Sequence, residues 1–275
     1  MMQEMQEQPL VSVVMATFNE PVVIITKSIE SILNQSYQNL ELLIADDSYS
    51  SETIAVIDAF AARDPRMVVI RKSGRMGFVR SLNEGLRIAK GKYIARMDGD
   101  DESVTNRIEK QVSFMERNAR CAILGGAMNV IDETDQIVSY RSYPSSGIQL
   151  LLWMAFRNPL AHPTVMFRRN IVDEGFYYDE TFNRAEDVEY WLRLRNNGFR
   201  IMNMKDTLLN YRVIGDLAAK RDKIHFKYNY WARKKNFSKR YVVLDGVSLL
   251  VAKLYACMSE KMRTFVYARE NKKSI

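Results

Sequence analysis

Three carboxylates fall within four positions at Asp98, Asp100 and Asp101, just after the strand-like run KYIARM. Acids this close repel one another, and each favours its neutral form. A divalent cation relieves that repulsion; oxygen-only ligands suit Mg²⁺ or Mn²⁺, with substrate phosphates completing the shell. A solvated acidic turn is the plainer reading of the same letters. A second pair, Asp46–Asp47, ends another apolar run, and TFNE ends a third, bringing a ring and an amide. In open α/β sheets ligands bind beyond the carboxyl ends of the strands. Three strand ends could therefore share one site.

The elements that would position these groups follow from the apolar pattern. LVSVVMAT (10–17) predicts a strand buried on both faces, LELLIADD (40–47) repeats its pattern, and RMVVIR (66–71) and KYIARM (92–97) predict a third and a fourth strand. Between them ITKSIESILNQS (25–36), SETIAVIDAFAA (51–62) and GFVRSLNEGLRIAKG (77–91) predict helices. Ser50 or Ser51 is the expected N-cap of the second helix and Gly91 the C-cap of the third. This alternation predicts a Rossmann-like, mostly parallel sheet flanked by helices. Beyond it, NRIEKQVSFMERN, GIQLLLWMAF and EDVEYWLRLRNNG predict helices, and AILGGAMNVID, IVSYRSY and PTVMFRR strands. Trp153 and Trp191 fall on apolar helix faces, which favours core positions. Beyond Tyr211 the pattern turns helical, basic and aromatic.

Other chemistries find little support. No GxGxxG follows the first strand, and GLRIAKGKY misses the phosphate-loop pattern, with its glycines too far apart and Tyr93 in place of Ser or Thr. Cys121 and Cys257 form no metal or disulfide spacing, which fits a reducing, cytoplasmic setting. The opening MMQEMQEQPL is polar and acidic, unlike a secretory signal, and no apolar run predicts a membrane span. The net charge of +7 is uneven: from Lys220 onward 15 Lys and Arg face 4 Asp and Glu. A basic tail on an acidic-to-neutral body suggests an anionic partner.

Four segments occur in one order: VSVVMATFNE, SILNQSYQNLELLIADDSYSSET, SLNEGLRIAKGKYIARMDGDD and AEDVEYWLRL. This ordered set resembles the family 2 inverting glycosyltransferases of the GT-A fold, over roughly residues 10–211. The resemblance implies an enzyme with a divalent cofactor, Mn²⁺ or Mg²⁺. It implies that Asp47 reads the nucleotide base beside Ala16 and Phe18, and that Asp98 and Asp100 form the DxD motif. Asp98 would touch both nucleotide and metal, and Asp100 would ligate the metal. Asp187 would be the catalytic base, with its neighbour Glu186 an acceptor or metal contact. Acids opening a helix are also favoured by its dipole alone. The family's usual glycine after the Asp pair is replaced by Ser48 and Tyr49. Arg75 is either a diphosphate contact or a solvated loop residue, and His162 either structural or an acceptor or metal contact.

The expected division is an N-terminal extension (1–9), a GT-A catalytic domain (10–215) and a basic amphipathic helical tail (216–275). The expected activity is transfer of a hexose from a nucleoside-diphosphate sugar, UDP-galactose or UDP-glucose, to a lipid-linked saccharide in capsule, exopolysaccharide or O-antigen synthesis. The tail would hold the protein peripherally on the inner face of the membrane, or would simply pack on the domain. A metal-dependent phosphohydrolase on the same sheet, and a basic-tailed nucleic-acid-binding protein, are the alternatives; no nucleic-acid recognition motif is present.

Overall fold

The computed structural model describes residues 8–214 and 223–258. The first half alternates strand and helix: β1 (Val11–Thr17), α1 (Val22–Leu33), β2 (Leu40–Asp46), α2 (Ser51–Arg63), β3 (Met67–Ile70), α3 (Phe78–Ile88) and β4 (Tyr93–Asp98). Then follow β5 (Glu102–Ser103), α4 (Arg107–Arg117), β6 (Ile123–Ile131), β7 (Ile137–Arg141), α5 (Gly147–Phe156), β8 (Met166–Arg168) and α6 (Asn170–Asp173). The series ends with α7 (Glu186–Asn196), β9 (Ile201–Arg212), α8 (Lys223–Lys235) and α9 (Val242–Cys257).

The strands form one mixed sheet in the order β3-β2-β1-β4-β8-β6-β9-β5, with β7 on β6. Its leading four strands are parallel, and β8 joins them antiparallel to β4. Every residue of β1 is buried, so its side chains serve two cores in alternation. Val14 and Ala16 pack with Leu82, Leu86 and Trp191 on one face. Val13 and Met15 pack with Ile25, Ile29 and Ile44 on the other. Register sets Val14 beside Arg96 and Ala16 beside Asp98. The charged end of β4 thus lies on the face covered by α3 and α7.

Several boundaries differ from expectation. α1 starts at Val22, directly after Pro21, and ends three residues before Ser36; proline is well suited to a helix start. Gly91 is not a C-cap: α3 ends at Ile88 with Ala89 after it. A side chain at Gly91 would meet the Ser12 backbone nitrogen at 2.5 Å, so the glycine permits close approach to β1. Ser50 caps α2 as expected, accepting from Thr53 N. The twelve-residue β9 was not foreseen; Asn203, Lys205 and Asp206 interrupt its apolar pattern, where its register against β6 also shifts.

The described part of the tail lies against helices that flank the sheet. α8 packs on α7, and α9 packs on α5 and α8. Arg195 of α7 pairs with Asp245 of α9 at 2.8 Å, both side chains buried. The positions 216–222 and 259–275 of the expected tail fall outside the described residues, as do 1–7 of the N-terminal extension.

Candidate active site

The ends of β1 and β2 are stitched together by backbone and side chain. Asn19, at positive φ, accepts from Tyr49 N at 2.9 Å and Ser50 N at 2.8 Å. Asp46 is a strut: it accepts from Thr17 Oγ1 at 3.0 Å and from Arg71 Nε at 2.7 Å. Burial alone would raise its pKa, but the bonds from Ser48, Arg71 and Thr17 outweigh it and hold the carboxyl low. Asp47 points the other way and accepts from the backbone N–H groups of Met76 (2.7 Å) and Gly77 (2.8 Å), where α3 begins. Arg75 Nε lies 3.7 Å from the same carboxylate. Its guanidinium stacks 4.2 Å over the Phe18 ring, and Tyr49 meets that ring edge-on. Phe18, Asp47 and Arg75 therefore form one lip, at the end of the strand that carries Ala16.

The β4 end is more crowded. Oxygens of Asp98, Asp100 and Asp101 all lie within 4.8 Å of one another. Arg96, buried in the strand, donates from Nη1 and Nη2 to the two oxygens of Asp98. Asp101 is fully buried and accepts from Arg212 N at 2.9 Å, yet its Oδ2 has no hydrogen-bond partner. Burial first, then Asp98 and Asp100, push its pKa well up. Glu20 reaches in from the β1 end, accepting from Phe18 N through both oxygens. Burial, with smaller contributions from Asp100 and Asp98, pushes it up to about 7. A side chain at Gly99 would come within 2.9 Å of Thr17 Cγ2 and 3.2 Å of Glu20 Cδ. Glycine is the residue that fits between the two acids.

Across from this cluster, α7 opens with Glu186 and Asp187 after Ala185 at positive φ. Burial first, then Asp187, raises the Glu186 pKa; Arg96 opposes the rise. Asp187 accepts a hydrogen bond from the Asn158 amide, in the segment after α5. His162 is boxed by the rings of Phe78, Tyr178 and Trp191. Its Nε2 is 2.8 Å from the Tyr178 hydroxyl and its Nδ1 is 3.9 Å from Glu186. Burial, reinforced by Arg96, holds its pKa well below the ordinary value. The Arg96 guanidinium lies 5.3 Å from the Phe78 ring centre; it binds Asp98 and its charge also reaches Glu186, so Arg96 faces both acid groups.

A family model described as Glycosyl transferase family 2 matches residues 12–176. The chain belongs to glycosyl transferase family 2. Two Escherichia coli relatives are similar over most of its length. The O-antigen biosynthesis glycosyltransferase WbnJ is 30% identical, covering 78% of this chain and 84% of its own. The UDP-Glc:alpha-D-GlcNAc-diphosphoundecaprenol beta-1,3-glucosyltransferase WfaP is 30% identical, covering 78% and 82%. Among solved structures, residues 1–349 of TarS from S. aureus, in complex with UDP, superimpose with a TM-score of 0.66 at 17% identity, covering 87% of this chain and 69% of that one. That likeness concerns the fold, which is GT-A.

This family 2 glycosyltransferase thus gathers the foreseen residues into three adjoining groups. Phe18, Asp47 and Arg75 form the lip, with Ala16 set beside Asp98 by strand register. Glu186, Asp187 and His162 lie together, across Arg96 from the three-oxygen cluster. The donor set fits a hard divalent cation: it is oxygen only, and Asp101 Oδ2 is buried and unpaired. Sequence reasoning missed Arg96, Glu20, Asn158 and Tyr178. A lone arginine inside an apolar strand, two residues before an acid, was the available signal for Arg96. The segment NPLAHP carried none that singled out Asn158.

Proposed function

We propose that this enzyme transfers a hexose, from UDP-glucose or UDP-galactose, to a saccharide on a lipid diphosphate, in the synthesis of a surface polysaccharide. The names of the two E. coli relatives support the polysaccharide setting and the lipid-linked acceptor. The observation that carries the reading is the meeting, around Arg96, of the β4 carboxylates and the acids opening α7. A donor diphosphate and an acceptor hydroxyl each find chemically suited groups there.

In this proposal Phe18 stacks on the base, Asp47 accepts from its edge, and Ala16 leaves room beside it. Arg75 swings from the Phe18 ring toward the diphosphate. Asp98, Asp100 and Asp101 would hold Mn²⁺ or Mg²⁺. Such a cation, when bound, supplies Lewis-acid stabilisation of the departing nucleoside diphosphate. Asp187 takes the proton from the acceptor hydroxyl as the new glycosidic bond forms on the opposite face, inverting the anomeric centre. Asn158 fixes the orientation of that carboxylate. Glu186, held partly protonated by its surroundings, is poorly suited to the same task and can donate a hydrogen bond to the sugar. His162 positions Glu186 and stays neutral.

The test is a panel of sugar nucleotides with Mn²⁺, scored for nucleoside diphosphate released and for thermal stabilisation. Stabilisation by UDP-sugars in a Mn²⁺-dependent way is expected. Phosphate release without UDP binding would favour a phosphohydrolase instead.

A further inference from the structure

The last of the described helices is inverted for a protein surrounded by water. α9 turns Asp245, Ser248 and Ala252 inward. Its outer side carries Val243, Val247, Leu250 and Leu254, spaced to fall on one helix face. All four are exposed, Val243 by 78% and Leu250 by 59%. The inward polar groups are firmly held. Arg195 donates to both oxygens of Asp245, at 2.9 and 2.8 Å. Arg233 Nη1 donates to Ser248 Oγ at 2.8 Å and to the carbonyls of Met154 and Ala155 at 2.9 and 2.7 Å. Rotating the helix to hide its leucines would break these bonds, so the apolar side is fixed outward. α5, which packs on α9, shows the same habit: Ile148, Leu152 and Phe156 recur every fourth residue and are exposed.

Charge indicates what covers this face. From Ile224 to Met258 the sole carboxylate is Asp245, and it is buried against Arg195. Lys227 and Lys234 on α8, which packs on α9, Lys239 and Arg240 in the connection between them, and Lys253 on α9 are exposed. Apolar side chains bordered by cations, with no acid between them, match the surface of an anionic bilayer. A second copy of the chain would bring like charges together at the same border. The face also adjoins the site: α5 ends two residues before Asn158, which donates to Asp187.

We propose that the α5–α9 face seats in an anionic lipid surface and so presents the Asp187 side of the site to acceptors carried there. The second half rests on the transferase reading; the first does not. Cys257 is exposed near the end of α9 and Cys121 is buried, so an environment-sensitive thiol dye on the full chain reports from α9. Vesicles of phosphatidylcholine mixed with phosphatidylglycerol should sediment the protein and shift the dye to the blue, and phosphatidylcholine alone should do so weakly. The double variant Leu250→Glu, Leu254→Glu should lose vesicle affinity at least about tenfold, with unchanged melting and UDP binding. If it unfolds, Val243→Glu is the second variant, with the same expectation. Vesicle binding equal to the parent's, or a dimer of the full chain that these variants split, would overturn the proposal. UDP-sugar turnover measured without vesicles stands apart: its absence alongside intact vesicle binding would remove the acceptor half alone.

Discussion

Arg96 holds both carboxylate oxygens of Asp98, the two side chains standing two residues apart on one face of β4. The protein thus supplies part of the neutralisation that its acidic cluster requires. A cation arriving at Asp98 must share it with, or take it from, a buried guanidinium. Arg96→Met should destabilise the cation-free protein by about 3–5 kcal/mol, as breaking a buried pair does. Mn²⁺ should then raise the melting temperature of the variant more than that of the parent. Equal Mn²⁺ shifts in scanning fluorimetry would show that Arg96 does not neutralise the cluster.

Asp100→Ala removes one of the three clustered acids. Cation-dependent UDP binding should be lost in titration calorimetry, with folding in the absence of cation preserved. Retained Mn²⁺-dependent binding would place the metal elsewhere.

Stability should depend on pH through the buried acids of raised pKa, Glu20 and Glu186 together with Asp101. Glu20 is raised to about 7, chiefly by burial, and Glu186 is raised by burial and then by Asp187. An acid whose pKa is higher in the folded than in the unfolded state favours folding while protonated. That contribution is complete below the ordinary carboxyl value and is lost as pH rises through the folded-state values. Urea midpoints of the cation-free protein should therefore fall from about pH 5 to about pH 8, where these acids ionise. A rise over that window would contradict the burial of these acids.

The main outline was legible in the sequence because β1, β2 and β4 are buried on both faces and so read as unbroken apolar runs, while the short edge strand β3, with Val68 exposed, still carries four apolar residues in a row. The carboxylates after them were legible for the same reason: an acid that ends such a run must sit at its rim. Arg96 was legible in principle, since residues two apart on a strand share a face, but not that the fold would bury it against the acids opening α7. β9 was hidden because its polar residues sit at a register shift, where alternation fails. Asn158 reaches Asp187 across 29 positions, a contact made by the fold and by no local pattern. The tail's basic, amphipathic character was plain, but not which side faced inward, because the partner that draws Asp245 inward, Arg195, lies 50 positions away.

Asp245→Ala would leave Arg195 buried without its carboxylate and the Ser238 N–H without its acceptor. Urea unfolding should show a loss of about 3–5 kcal/mol. Replacing both partners with apolar residues of similar size should cost much less. A loss under about 1 kcal/mol for Asp245→Ala, the range of an exposed pair, would mean that the tail is only loosely held.

The central claim is that Asp187 takes the acceptor proton in a sugar transfer from a nucleoside diphosphate. Asparagine at this position keeps the shape and the bond to Asn158 but cannot accept that proton. Turnover of Asp187→Asn, followed as UDP released from the best donor of the panel with Mn²⁺ and acceptor present, should fall by about 10²–10⁴, with UDP-sugar affinity little changed. Turnover equal to that of the parent, or loss of donor binding without loss of turnover, would contradict it.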